Sequence, residues 1–170
     1  LVQPVHRGIN DIGTWKSALR AADMGLRSKL YDLYEDILMD GTVTDAIGKR
    51  IEAITDCDIN FTVNGKEVPR ITELIDTVEF ENQLKEIMWS LFWGISVDEY
   101  SFVNGFDFNS IPRKHIRPKE KLILRRQYDT DGISYSDDGM IIQWGEDDDL
   151  GLLLKVAPYV IYKRGGFGDW

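Results

Sequence analysis

The sequence predicts an α+β domain with N-terminal helices, a small mixed or antiparallel sheet and a C-terminal helix. Three observations carry this. Apolar residues recur at helical spacing from Leu26 to Ile54 and again from Phe80 to Phe92. Beyond Gly94 the apolar period falls to two, with Asp-Gly turn signals between the runs. The stretch from Leu150 to Ile161 is again apolar and bounded like a helix. Helices, then short strands, then a helix is the order of an α+β fold.

Taken in order, residues 1–13 are punctuated by Gly and Pro and read as an extended arm, followed by a short helix from Trp15 to Ala22 opened by Thr14. Leu26, Leu30, Leu33, Tyr34, Ile37 and Leu38 form the first clear apolar stripe, stopped by Asp40-Gly41. Thr42 is placed to cap a second helix, with Asp45 three residues on in a near capping box. Its apolar face is Val43, Ala46, Ile47, Ile51 and Ile54. Ile59, Phe61 and Val63 alternate into Asn64-Gly65, which predicts a strand and a tight hairpin turn. Pro69 breaks the chain before a short helix over Arg70 to Val78. Phe80, Leu84, Ile87, Met88, Leu91 and Phe92 form the strongest helical stripe, with Gly94 placed to end it. Strands are expected at 95–102, 122–126, 133–136 and 140–144. The final helix is expected from Asp149 to Tyr162, with Pro158 able to kink it.

The chain has 170 residues, 43% hydrophobic and 29% charged, enough for a domain with its own core. Its first seven residues do not form a signal peptide. No apolar run approaches the roughly 18–20 residues of a membrane span, so no membrane partner is expected. A lone Cys57 excludes an internal disulfide and fits a reducing compartment. One Cys and two His leave few ligands for a nitrogen–sulfur zinc site. A net charge of −9 argues against a module whose main task is gripping nucleic acid, because that affinity comes from Lys and Arg on phosphates.

Catalytic patterns are lacking. The Asp129–Gly132 and Asp137–Gly139 clusters do not fit a calcium-loop register and read as hairpin turns. Glu146 to Asp149 read as acids at a helix start rather than as a magnesium site. Neither His6 nor His115 has a recognisable nucleophile partner, and Cys57, between Asp56 and Asp58, carries no signature of a catalytic thiol. Neither a phosphate loop nor a dinucleotide glycine pattern occurs. The expectation is a non-enzymatic protein that needs no cofactor or metal.

Charge is segregated. Arg113, Lys114, Arg117, Lys119, Lys121, Arg125 and Arg126 crowd into fourteen residues with Glu120 as the one counter-charge. From Gln127 to Leu154 there is no Lys or Arg, but Asp129, Asp131, Asp137, Asp138, Glu146, Asp147, Asp148 and Asp149 occur. Either the two stretches neighbour each other and neutralise internally, or they form basic and acidic flanks that meet head to tail between subunits. The second possibility makes Arg113, Lys114, Arg117, Lys119, Lys121, Arg125, Arg126, Asp129, Asp131, Asp147, Asp148 and Asp149 candidate inter-subunit charges.

Four blocks together resemble the N-terminal part of tailed-phage portal proteins of the Mu-like branch. They are Leu30 to Arg50, a helix pair ending in an arginine-bearing helix; Phe80 to Tyr100, containing Leu91-Phe92-Trp93-Gly94-Ile95-Ser96-Val97-Asp98-Glu99; Ile111-Pro112-Arg113-Lys114-His115-Ile116-Arg117-Pro118; and Leu150 to Trp170. The resemblance implies a ring, usually a dodecamer, at one capsid vertex. Double-stranded DNA is packaged through it by the terminase and leaves through it to the tail. Implied partners are other portal subunits, terminase, capsid and head-tail proteins, and DNA held without sequence-specific binding. Implied locations are the virion and, during assembly, the host cytoplasm. On this reading 1–24 is an arm with a short helix. Residues 25–170 are a wing-like domain truncated at its C-terminal end, because the chain stops on Asp169-Trp170 where another amphipathic element should begin. The family has no catalytic residues to carry over. The alternative is a non-catalytic interaction module or adaptor domain of a larger bacterial protein.

Overall fold

The computed structural model describes residues 12–103 and 105–168. It has an α+β architecture with six α-helices and three small antiparallel sheets among those residues. Helix α1 runs Ile12–Asp23, so the helix begins two residues before the expected Thr14. The remainder of the expected arm lies outside the described residues. Ala18 and Ala22 of α1 join the main core.

Helix α2 (Ser28–Ile37) is the centre of that core: Leu30, Tyr31, Leu33, Tyr34 and Ile37 are all buried. Leu26, expected on the same stripe, is 45% exposed because the helix starts only at Ser28, after a turn at Gly25. Helix α3 (Gly41–Thr55) is capped by Asp40, not by Thr42. The Asp40 carboxylate accepts hydrogen bonds from the Thr42 and Val43 amides at 3.0 and 3.4 Å. Gly41 already belongs to the helix, so the capping position falls one residue before it. Ile47 and Ile51 are buried, whereas Ile54 faces water.

A separate lobe follows. Strands β1 (Thr62–Val63) and β2 (Lys66–Glu67) form the expected hairpin, with Asn64 at φ 51° and Gly65 at φ 74° in the turn. Two successive left-handed residues match the twist of a two-residue hairpin. Helix α4 (Pro69–Ile75) starts on its proline, where a missing amide costs nothing. Residues 56–67 are all exposed, and α4 buries none of its residues.

Helix α5 (Val78–Trp93) is capped by Thr77 and stopped by Gly94 in the left-handed conformation. The expected apolar stripe is only part of its buried face. Gln83, Ser90 and Phe92 are buried, while Leu91 is 51% exposed. The cause lies on β3 (Ser96–Ser101), whose fully buried Asp98 requires polar neighbours. The Gln83 amide donates to Asp98 at 3.0 Å and the Ser110 hydroxyl donates at 2.5 Å. Apolar groups there would leave a buried carboxylate unsatisfied.

Strand β3 is central, between β4 (Asp107–Ser110) and β8 (Ile141–Trp144). Strands β5 (Ile116–Arg117), β6 (Leu122–Leu124) and β7 (Gly132–Ser134) form the third sheet in that order. Neither β4 nor β5 is legible in sequence. Strand β4 is Asp-Phe-Asn-Ser, poor in β-formers, and exists through its pairing with β3. Helix α6 (Leu153–Gly168) starts four residues later than expected and extends beyond Tyr162, with Pro158 inside it. Leu153, Ala157, Val160 and Ile161 pack into the core. Arg164 pairs with Asp36 at 2.5 Å and Lys163 with Asp40 at 2.8 Å, tying α6 to α2 and the start of α3. No described helix is long and apolar enough to cross a membrane.

Candidate inter-subunit surface

The basic stretch begins on a 3-10 turn, Arg113–His115, that follows Pro112. The backbone there aims Arg113 inward. Its Nε donates to the Ile95 carbonyl at 2.9 Å and its Nη2 to Ser96 Oγ at 2.6 Å, and it pairs with the Glu86 carboxylate. The guanidinium also lies 5.2 Å from the ring centre of Trp93. Trp93 in turn packs edge-on against Tyr31 and Tyr34, each with ring centres 5.7 Å away. Arg113 therefore joins α5 to β3 and to the aromatic core.

Lys114 turns the other way. Its ammonium sits between Asp32 at 2.7 Å and Glu35 at 2.8 Å on the outer face of α2. Partial burial alone would lower its pKa, but hydrogen bonds to the two carboxylates outweigh that and hold it above the ordinary lysine value. His115 places Nδ1 2.9 Å from the Leu124 carbonyl.

Past β5 the basic and acidic stretches meet within one chain. Arg117 donates to the Asp129 carbonyl at 2.9 Å. Lys119 pairs with Asp148 at 2.6 Å and Lys121 with Asp147 at 2.5 Å. Lys121 and Asp147 belong to a larger network. Lys121 Nζ also donates to Gln143 Oε1 at 2.9 Å, the Gln143 amide donates to Asp147 at 2.7 Å, and the Tyr135 hydroxyl donates to Gln143 at 2.7 Å. Buried Arg27 donates to the Asp147 carbonyl at 2.5 Å. The hydrogen bonds from Lys121 and then Gln143 hold the Asp147 carboxyl below its ordinary range.

Glu146 to Asp149 do not open helix α6, which has no acid in its first turn. They belong to a loop pressed against the α5–β3 junction. Gly94 and Gly151, at φ 87° and 78°, make the approach possible, because a Cβ on either would overlap the other segment's backbone. Asp149 accepts from the Gly151 amide at 2.8 Å and so shapes this loop rather than capping the helix.

Most of the candidate inter-subunit charges thus have partners within the chain. Arg113, Lys114, Arg117, Lys119 and Lys121 are engaged within the chain, and so are Asp129, Asp147, Asp148 and Asp149. The physical reason is the antiparallel topology: the β5–β6 hairpin brings Lys121 to Gln143 of β8 and to Asp147 in the loop that follows, so charges distant in sequence become neighbours. Arg125, Arg126 and Asp131 stay on an exposed corner beside Tyr128, with no side-chain ion pair among the described residues. The Arg126 amide donates to Asp129 at 3.1 Å and holds the turn.

A second surface escaped the sequence reading. Thr42, Val43, Ala46, Ile47 and Arg50 of α3 face Phe92, Leu152, Leu153, Lys155 and Val156 across an apolar groove of about 390 Å³. It is a product of helix packing, and neither helix alone signals it. Among the described residues no cluster of three or more His, Cys, Asp or Glu is arranged to hold a metal ion.

A family model described as the portal protein of Mu bacteriophage matches residues 31–170. No curated protein and no solved structure matches the chain.

Proposed function

The chain belongs to the family of Mu bacteriophage portal proteins, and from that premise we propose that it is a subunit of a ring at one capsid vertex. Family membership makes it a structural, virion-associated phage protein. In the proposed role the ring, a dodecamer in the full-length protein, is the conduit for DNA packaging and ejection and the joint between head and tail. The observation that carries the reading is a single family match running from α2 to the last residue. The net charge of −9 supports it, since a conduit must let DNA pass without gripping it. Residues 25–170 fit a wing-like region, with terminase, capsid and head-tail proteins as partners. The role needs no catalytic residue, cofactor or metal.

Within that role, Arg125, Arg126 and Asp131 are candidate inter-subunit charges that form no ion pair within the described residues of the chain. Tyr128 adds an aromatic group of the kind enriched at interfaces. The test is electron microscopy of the protein encoded by the gene carrying this chain, with mass spectrometry of purified particles. Rings with an axial channel, and a few copies per particle, are expected. A protein absent from particles and monomeric throughout would overturn the assignment.

A further inference from the structure

We infer that the acidic hairpin lobe of one copy seats in the groove between α3 and α6 of a second copy. The inference rests on the ring reading above.

The lobe is built for a partner. From Asp56 to Val78 it carries Asp56, Asp58, Glu67, Glu73 and Asp76 against only Lys66 and Arg70, a net charge of −3, and Glu79 follows in the first turn of α5. None of these side chains forms an ion pair among the described residues. Ile59, Phe61 and Val63 are 39–50% exposed on a hairpin whose strands pair only with each other.

The groove has the complementary character. Its floor is apolar and its rim carries Arg50 and Lys155, both exposed and neither in an ion pair among the described residues. It continues along α6 into a stripe of Leu152, Tyr159 and Tyr162, with Tyr159 75% exposed. Tyrosine next to apolar floor and basic rim is the composition of a protein interface.

The chain's own lobe contributes no residue to the groove's lining, which leaves the groove open to a second copy. The groove lies along the first two turns and middle of α3, whereas the lobe leaves from its C-terminal end. A donor surface and a receptor surface displaced along one helix give a head-to-tail contact, which closes into a ring when the rotation permits.

Cys57, the chain's one cysteine, is exposed on the lobe and reports the contact. Arg50→Cys/Cys57→Ser chains of the ring-forming protein, mixed with wild-type chains and treated with a short bis-maleimide, should give a cross-linked dimer under denaturing conditions. Neither chain alone, each with one cysteine, should give that dimer, because Cys57 faces a groove and not another Cys57. Separately, Arg50→Glu with Lys155→Glu should weaken self-association about three- to tenfold, and Asp58→Lys with Glu67→Lys on a mixed-in second chain should restore it. Rings by microscopy without the mixed-chain dimer would overturn this contact while leaving the ring standing. Loss of rings from wild type would instead count against the portal reading itself. A groove cysteine that becomes reactive only after removal of residues 1–11 would assign the groove to the chain's own N-terminus and overturn the inference.

Discussion

The core around α2 and the lobe over residues 56–78 are built from the same kinds of residue in opposite arrangements. In the core, Tyr31, Tyr34 and Trp93 pack ring against ring, and Arg113 covers Trp93 while its charge is matched by Glu86. In the lobe, Ile59, Phe61 and Val63 stay 39–50% exposed on and beside a two-stranded hairpin that joins neither larger sheet, and the charges are unpaired among the described residues. An isolated hairpin is only marginally stable in water. The lesson is that burial and charge pairing in this chain are spent on the α2–α5–α6 body, and the lobe presents its surface outward.

The widest gap between the regions should appear on truncating Leu30. Leu30→Ala removes a fully buried side chain and should cost about 2–5 kcal/mol in urea unfolding. A loss below about 1 kcal/mol would mean that the core is looser than its packing implies.

Arg113→Ala tests whether the arginine belongs to the body or to an outer surface. It leaves Glu86 partly buried without its cation, and a loss of about 2–3 kcal/mol is expected together with a shift in Trp93 emission. Unchanged stability would return Arg113 to the outer surface.

Asp147 sharpens the comparison through pH. Its folded pKa is depressed, so its contribution is present above the unfolded carboxyl value and is lost as pH falls through the folded value. The side chain is 40% exposed, and screening limits the effect to about 1 kcal/mol. Asp147→Asn should therefore lower stability near neutral pH and flatten the acid limb below about pH 4. Equal acid limbs in variant and wild type would show that the network does not hold the carboxylate.

The smallest effect on stability belongs to the lobe. Phe61→Ala should change unfolding by no more than about 0.5 kcal/mol, and limited proteolysis should cut first within residues 56–68. A Phe61→Ala loss of 2 kcal/mol or more, on the order of a core truncation, would erase the distinction between the two regions.

Much of the scaffold was legible before the structure. The α2 stripe, the Asn64-Gly65 turn, the Gly94 stop and the α6 run are local signals of periodicity and dihedral preference. They survive because each element's own residues enforce it. Other features failed in instructive ways. The α5 stripe predicted only part of the buried face: Phe92 is buried as expected, but so is Gln83, because Asp98 on β3 is buried against it. The acids at 146–149 read as a helix start, yet Asp147 is held by Lys121, Gln143 and Arg27 and Asp149 by the loop's own turn.

By itself the sequence determined the α+β class, most helix and turn positions, the acidic balance and the portal-like blocks. These depend on residues close together along the chain or on overall composition. Only the tertiary structure decided which charges are internal, where the apolar groove lies and that the hairpin stands alone. Charges at Lys121 and Asp147 are 26 residues apart and meet at 2.5 Å. Such contacts depend on how antiparallel strands and packed helices bring distant segments together, and no local pattern carries that information.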